Sequence, residues 1–348
     1  MSLRELIGQM QRHIVAAGEA ALGRMLQLLA RAIRRELRVL AQLGRGAWTA
    51  KAAKVAVDRL RRMVVRAIAA MARQLSMDLR ATAALSLADA ALYLETADRL
   101  FGEPTPLRPT ADAATIATAR AGAAAASLGR FGADLVHLIE GAAVATVLLG
   151  RPHHVALDVV AATLRRGAAA KAWELKRLAD TEASAVYNLA QLETLIAQDV
   201  PGDRMLKRLV ARFDARTGRD SVMLHGQRRP VREPFYDAQH GRFYMAPPNR
   251  PNDREVIVGE RDRWNLAAEI FAPVPEDRPS RRPQPRQAPS GTTTRRARNL
   301  RAGDRLDAPG RPRVTSVSEA RGRIAVRTDS GLLLYFAAGA AIGILASS

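Results

Sequence analysis

The apolar residues of positions 1–200 recur at helical spacing, and this pattern constrains the fold more than any other feature. Further periodic segments cover about 49–100, 111–149 and 155–198, and they are separated by Gly44, Gly46 and proline-rich stretches such as GEPTPLRPT. The pattern predicts a bundle of long amphipathic helices. In the first segment the apolar positions are Leu6, Met10, Ile14, Leu22, Met25, Leu26, Leu29, Ile33, Leu37, Leu40 and Leu43.

Composition supports helices and indicates an anionic partner. Aromatic residues make up only 4% of the chain although 48% is hydrophobic, so Ala, Leu and Val dominate, which suits close helix packing. The 54 Lys and Arg exceed the 34 Asp and Glu, and the formal net charge of +20 favours a polyanion. Nucleic acid is the leading candidate, with membrane phosphates or an acidic protein as alternatives.

The absence of cysteine and of a long apolar run narrows the function classes. Without Cys there is no disulfide framework and no thiolate zinc cage. The first residues mix charge into their apolar run, so we expect no signal peptide and synthesis in the cytoplasm. The C-terminal run GLLLYFAAGAAIGILASS is too short to span a bilayer, and we expect strands there and no membrane partner.

The composition changes after residue 200, which predicts an α+β multidomain protein. Residues 1–200 form the helical domain, and residues 201–271, with Pro, Gly and aromatics, form a small α+β module. Residues 272–298 are rich in Pro and Arg, cannot bury enough apolar surface to fold alone, and form a linker. Short alternating runs over 299–348 predict a small β-barrel of SH3-like size.

Candidate catalytic and metal residues lack the spacing that chemistry needs. Asp214, Ser221 and His225 supply the residue types of a triad, but no strand–elbow–helix context surrounds them. The adjacent His153 and His154 cannot both face one ion on a helix. No P-loop or dinucleotide fingerprint is present. We therefore expect no enzyme activity, no metal and no cofactor.

The same segment is better explained as a structural turn. Asp214, Arg216 and Thr217 predict a local network of carboxylate, guanidinium and hydroxyl. His225 is expected to hydrogen-bond within its own loop, Gly226 to permit a left-handed backbone, and Pro230 to direct the next strand.

Arginine tracts predict non-specific contact with nucleic acid. Arginines on exposed stripes of the helices and in the linker can meet phosphates without reading sequence. The alternative is a solvated face that keeps the chain soluble. No RNA-recognition, zinc-finger or helix-turn-helix signature is present, so we expect no base readout. The linker arginines predicted to bind DNA are Arg281, Arg282, Arg286, Arg295, Arg296 and Arg298.

Three segments resemble the Mu-F-like phage head morphogenesis proteins. LADTEASAVYNLAQ (178–191) resembles the helix that ends the family's helical part, FDARTGRDSVMLHGQRRPVREPF (213–235) is similar to its core, and FYMAPPNRPNDREVIVG (243–259) to its closing segment. Many members carry Cys or His after the Arg-Thr pair and a closing Cys-x-Cys, which this chain lacks. The matching motif residues are Thr181, Glu182, Asn188, Asp214, Arg216, Thr217, His225, Gly226, Gln227 and Pro230.

The resemblance implies a minor capsid protein that acts in head assembly beside the portal. Its expected location is the virion, in several copies, with the portal or major capsid protein and packaged double-stranded DNA as partners. The helices would dock on head subunits, the Asp214–Thr217 module would be a rigid spacer, and the arginine-rich linker would contact DNA. The alternatives are an enzyme or toxin module on a Mu-F-like framework, and a bacterial nucleoid- or membrane-surface protein that binds DNA or anionic lipid non-specifically.

Overall fold

Long helices occupy most of the first 200 residues in the computed structural model. The structure describes residues 1–43, 48–102, 105–213, 217–248, 250–251, 253–264, 266 and 268–271, and six strands between 292 and 345. The chain divides into two compact units, 1–276 and 277–348. The helices are α1 Leu3–Leu43, α2 Ala50–Phe101, α3 Ala113–Leu148, α4 His153–Ala170 and α5 Ala172–Gln198.

Side-chain caps fix where the second and third helices begin. The Thr49 hydroxyl accepts a hydrogen bond from the Ala52 N–H at 3.2 Å, and Asp112 Oδ1 accepts from Ala114 and Thr115 at 2.7 and 2.9 Å. These contacts satisfy N–H groups that have no partner inside the helix. The helices predicted over 49–100 and 111–149 are confirmed to within two residues at each end.

The prediction of a single helix over 155–198 is wrong, because the helix is interrupted at Lys171. The Lys171 N–H bonds the Gly167 carbonyl and ends α4, and α5 begins at the next residue. The Lys171 ammonium meanwhile donates to Asp134 Oδ2 of α3 at 2.6 Å and to Glu174 Oε1 at 3.1 Å. The interruption at Lys171 thus coincides with a contact to another helix, which the helical spacing of apolar residues does not indicate.

The core of the bundle is built from small and branched aliphatic side chains. Leu60, Met71, Leu128, Leu135 and Leu164 are completely buried there, and alanines fill the space between them. α3 is long and apolar enough to cross a membrane, with a mean hydropathy of 1.5 over a window that is 33% buried. It packs against α2, α4 and α5, and core helices of soluble proteins share this composition.

Two small antiparallel sheets follow the helices in the first unit. The strands Arg228–Pro230 (β2), Met205–Val210 (β1) and Val256–Arg261 (β5) form one sheet in that order, with Leu206 opposite Pro230 and Val210 opposite Val256. β3 and β4 form a hairpin whose turn contains Gly241 at φ +61°. The elements are β1 Met205–Val210, α6 Arg219–Leu224, β2 Arg228–Pro230, β3 Phe235–Asp237, β4 Arg242–Tyr244, β5 Val256–Arg261 and a 3-10 turn at Ala268–Phe271.

The sheet packs directly on the helices, and parts of α1, α2 and α5 form a second core with residues 205–271. Leu94 and Leu195 from the helices are buried against Met205 and Ile257 from the strands. Gly259 lies so close to Leu195 that a Cβ there would overlap its side chain. The segments predicted as separate helical and α+β domains therefore lie together in the unit 1–276.

The second unit contains only strands among its described residues. β8, β9 and β10 form an antiparallel meander, and β11 lies between β6 and β7. β6 falls inside the segment 272–298 that was predicted as a linker, and it pairs with β11. The expected short strands are confirmed, whereas their closure into a barrel stays a prediction. The strands are β6 Thr292–Arg296, β7 Arg305–Leu306, β8 Val314–Ala320, β9 Arg323–Thr328, β10 Leu333–Ala337 and β11 Ala341–Leu345.

Candidate functional site

Asn188 joins the motif helix to the closing segment of the motif. Its side chain is completely buried on α5, where an unpaired amide would be costly. Asn188 Nδ2 donates to the Glu255 carbonyl at 2.8 Å, and Asn188 Oδ1 accepts from the Ile257 N–H at 2.9 Å. The amide thus pairs with the start of β5 as a neighbouring strand would, which gives this motif residue a structural role.

Glu182 makes the second long-range contact of the motif helix. It is buried and accepts from Arg120 Nε and Nη2 of α3, both at 3.0 Å. This two-point geometry is the strong form of a guanidinium–carboxylate pair. Thr181, the adjacent motif residue, lies in a cleft between α3 and α5.

His225 and Gly226 close the loop between α6 and β2. His225 Nδ1 accepts from the Ala211 N–H at 3.1 Å, and the Phe213 ring meets the imidazole edge to face at 4.8 Å. Burial lowers the pKa of His225, which favours the neutral ring that this acceptor role requires. Gly226 has φ +79°, and its N–H donates to the Leu209 carbonyl at 2.8 Å. Gly226 has the expected left-handed backbone, whereas the ring of His225 bonds Ala211 at the end of β1 and not a residue of its own loop.

Gln227 and Pro230 place the strands that follow. Gln227 Oε1 accepts from the Tyr236 N–H at 2.9 Å and its Nε2 donates to the Tyr236 carbonyl at 3.1 Å. Pro230 ends β2 opposite Leu206 of β1. Thr217 Oγ1 donates to the Arg212 carbonyl, which ties the start of α6 to the end of β1. Asp214 and Arg216 lie outside the described residues.

Ser221 and His225 do not form a nucleophile–base pair. Ser221 Oγ is buried and accepts a hydrogen bond from Arg250 Nη2 at 2.5 Å. His225 Nδ1 instead accepts a hydrogen bond from the backbone N–H of Ala211. The two residues are instead linked through the main chain, from the His225 N–H to the Ser221 carbonyl. This arrangement gives no support to a Ser–His hydrolase.

A buried acidic pair lies beside Ser221 and was missed in the sequence. Glu255 and Asp253 are both almost completely buried next to a space of about 20 Å³, the size of one water molecule. Burial and the Asp253 charge raise the pKa of Glu255 to about 8, against the opposing effects of Ser221 and Arg250. Burial beside Asp253 thus favours the protonated form of Glu255. The segment PNDRE (251–255) contains no pattern of residues that would have distinguished these two buried acids from acids on the surface.

Other buried polar contacts join elements that are far apart in sequence. Asp89 Oδ2 of α2 accepts from the Tyr187 hydroxyl of α5 at 2.5 Å and hydrogen-bonds His13 Nδ1 of α1 at 2.7 Å. Arg261, 1% exposed, ion-pairs with both Asp98 of α2 and Asp203. Across the described parts of the chain, no group of three or more acidic or histidine side chains could hold a metal ion.

The outer faces of α1 and α2 carry a band of exposed arginines, here called the arginine surface. Arg24 of α1 pairs with Asp78 of α2 at 2.9 Å, and Arg59 of α2 pairs with Glu36 of α1 at 2.7 Å, along the line where the helices meet. Helical spacing puts the other arginines on the same sides as Arg24 and Arg59. The arginine surface comprises Arg31, Arg34, Arg35 and Arg38 of α1 with Arg62, Arg66 and Arg73 of α2.

Among the described residues, the carboxylates near the arginine surface are mostly engaged elsewhere, although Asp58, which is bonded to Lys54, also interacts electrostatically with Arg62. The acids along the facing stretches of α1 and α2 are already paired: Glu36 with Arg59, Asp78 with Arg24 and Asp58 with Lys54. None of the surface arginines forms an ion pair with a carboxylate in the described parts of the chain. Its charge is thus available to an external anion.

Four of the six linker arginines predicted to bind DNA lie outside the described residues. Arg281, Arg282, Arg286 and Arg298 are not described, whereas Arg295 and Arg296 belong to β6, opposite Ile342 and Ala341.

No family model matches this chain, and no curated protein or solved structure matches it either. The likeness to Mu-F-like proteins therefore rests on the three sequence segments alone.

Proposed function

We propose that this protein is a structural minor head protein of a bacteriophage that contacts packaged double-stranded DNA without sequence preference. The observation that carries the DNA contact is the arginine surface, a band of exposed guanidiniums without carboxylate partners on two packed helices. The role in a phage head rests on the resemblance of residues 178–259. The proposal includes no catalytic role and no cofactor.

The shape and chemistry of the arginine surface suit a DNA backbone. From Arg62 to Arg73 the stripe on α2 extends about 16 Å at 1.5 Å per residue. This length matches roughly five base pairs at 3.4 Å along the duplex axis. Arginine binds phosphate through paired N–H groups, and phosphate contacts carry no sequence information. The expected binding is therefore salt-dependent and insensitive to sequence.

An exposed apolar area at the end of α3 supports docking on another head protein. Val144, Leu148 and Leu149 are 59, 81 and 64% exposed, and a mainly apolar groove of about 290 Å³ runs beside them between α2 and α3. Contiguous exposed apolar surface is typical of protein–protein contacts. In this proposal the portal or the major capsid protein is the docking partner.

The DNA contact is tested by comparing two quadruple variants of equal charge. Arg31, Arg35, Arg62 and Arg66 are changed to Gln in the first, and we expect the slope of log affinity against log salt to become shallower by about 2 to 4. The matched control changes exposed arginines elsewhere on the bundle and should keep most of the affinity. Equal losses in both variants would show a general effect of net charge and contradict the proposal. The control positions are Arg99, Arg151, Arg165 and Arg166.

The contribution of the linker needs a separate variant. Changing Arg281, Arg282, Arg295, Arg296 and Arg298 to Gln should lower DNA affinity and flatten its salt dependence further. An unchanged affinity and slope would remove the linker from the DNA contact and leave the arginine surface untouched.

The role in the head is tested by mass spectrometry of nuclease-treated, density-purified particles from cells that produce the phage. Recovery of the chain with the particles, in fewer copies than the major capsid protein, is the expected result. A chain that stays free in the lysate would instead favour the nucleoid-associated alternative.

A further inference from the structure

A cleft of about 230 Å³ lies between α3 and α5, on the helical bundle but away from the arginine surface. The accessible part of its apolar floor is the partly buried Leu178, which lies beside the buried Phe131 and Leu175, and Pro251 of the closing segment also lines the cleft. The volume is below the roughly 300–1,000 Å³ of pockets for drug-sized ligands. The cleft therefore has room for one or two side chains of a longer molecule.

The charges around the cleft leave a positive rim. Its acids are already bound, because Glu182 accepts two hydrogen bonds from Arg120 and Glu174 accepts one from Lys171. Arg130 and Arg177 are exposed on the rim, and neither ion-pairs with a carboxylate among the described residues.

The two rim arginines are held in place by weak contacts that leave most of their donors available. Arg130 Nη2 donates to Ser127 Oγ at 3.0 Å, and the Arg177 guanidinium lies over the Trp173 ring at 5.3 Å. A guanidinium has five N–H donors in a fixed plane and binds a carboxylate with two of them. Two such groups beside an apolar floor match a ligand that carries both acidic and apolar side chains.

We propose that this cleft binds an acidic segment of a partner protein, with carboxylates at Arg130 and Arg177 and an apolar side chain on the floor. Single-stranded nucleic acid fits less well, since bound bases need an exposed aromatic face. Phe131 is only 2% exposed, and Trp173, which is 57% exposed, is not among the residues that line the cleft. Duplex phosphates would leave the apolar floor uncovered. This site is independent of the DNA contact at the arginine surface.

The test uses the full chain and fluorescein-labelled peptides of defined composition. A short peptide of alternating Glu and Leu should bind at least about tenfold more tightly than one of Lys and Leu, or one of Glu and Ser. Changing Arg130 and Arg177 to Ala should weaken Glu-Leu binding by at least about tenfold. The matched control, Arg165→Ala with Arg166→Ala on α4, should bind as the unaltered protein does.

A charge reversal and a DNA titration separate peptide binding from DNA binding at the cleft. Arg130→Glu with Arg177→Glu should reverse the preference and bind the Lys-Leu peptide. The proposal is overturned if the Glu-Leu peptide does not bind, if it binds equally to the Ala variant, or if the Glu-Ser peptide binds as well. It is also overturned if the Ala variant loses as much affinity for a DNA duplex as for the peptide while the control loses neither, because the cleft would then belong to the DNA site.

Discussion

Replacing Asn188 with alanine tests whether the motif is a structural anchor. The side-chain amide is fully buried, and it bonds the Glu255 carbonyl and the Ile257 N–H at 2.8 and 2.9 Å. Alanine removes both hydrogen bonds, and the buried Glu255 carbonyl and Ile257 N–H cannot reach water in their place. The backbone at the start of β5 would then be buried without partners.

The size of the effect follows from these two groups. A buried donor or acceptor without a partner costs about 1–3 kcal/mol, so two of them cost about 2–6 kcal/mol. The higher helix propensity of alanine offsets no more than about 0.7 kcal/mol. The free energy of unfolding of a native protein is about 5–15 kcal/mol, so this loss should lower the urea midpoint of Asn188→Ala substantially.

Urea unfolding followed by circular dichroism measures the change, and hydrogen exchange locates it. The Ile257 amide should exchange much faster in Asn188→Ala than in the unaltered protein. The control is Gln27→Ala, an exposed position on α1, which should change stability by less than about 0.5 kcal/mol. The same midpoint for both variants, with the Ile257 amide still protected, would refute the anchoring role.

Three other substitutions test buried groups and close packing, each by urea unfolding. The folded protein keeps the Glu255 proton that the unfolded chain releases above its ordinary pKa of 4.5, so the free energy of unfolding should fall as pH rises from about 4.5 to about 8. Glu255→Gln should remove this pH dependence of stability. An unchanged pH dependence would assign it to another group. Asp98→Ala leaves the buried Arg261 with one carboxylate in place of two and should cost about 3 kcal/mol or more, whereas a loss below about 1 kcal/mol would show that the pair is dispensable. Gly259→Ala should lower the free energy of unfolding by about 1–3 kcal/mol, because the new Cβ overlaps a side chain of α5. Gly141→Ala, in open space on α3, should raise it by up to about 1 kcal/mol. Equal effects of the two substitutions would contradict close packing at Gly259.

The sequence predicts the helices well because their causes are local. Apolar spacing defines the bundle, and Thr49 and Asp112 cap helices from the position just before them. The interruption at Lys171 has no such local signal, and the partner of this lysine, Asp134, lies on another helix. The sequence shows a lysine in a helical pattern and gives no sign of its partner.

The buried polar contacts show the same limit at the motif. The left-handed backbone of Gly226 follows from its own residue type and could be predicted, but the partner of His225 lies 14 residues away and that of Asn188 lies 67 residues away. Asp89 occupies a helical position where its burial depends on His13 and Tyr187 from two other helices. The arginine surface was only partly predicted, since the stripes were expected but the pairing of neighbouring acids was not.

Arginine footprinting in the presence of DNA tests the proposed DNA contact most directly. The protein is treated with phenylglyoxal, with and without a DNA duplex, and the modified residues are quantified by mass spectrometry. We expect protection of Arg31, Arg35, Arg62 and Arg66, with Arg165 modified equally in both conditions. Unchanged modification across the arginine surface while DNA is bound would contradict DNA binding at this surface.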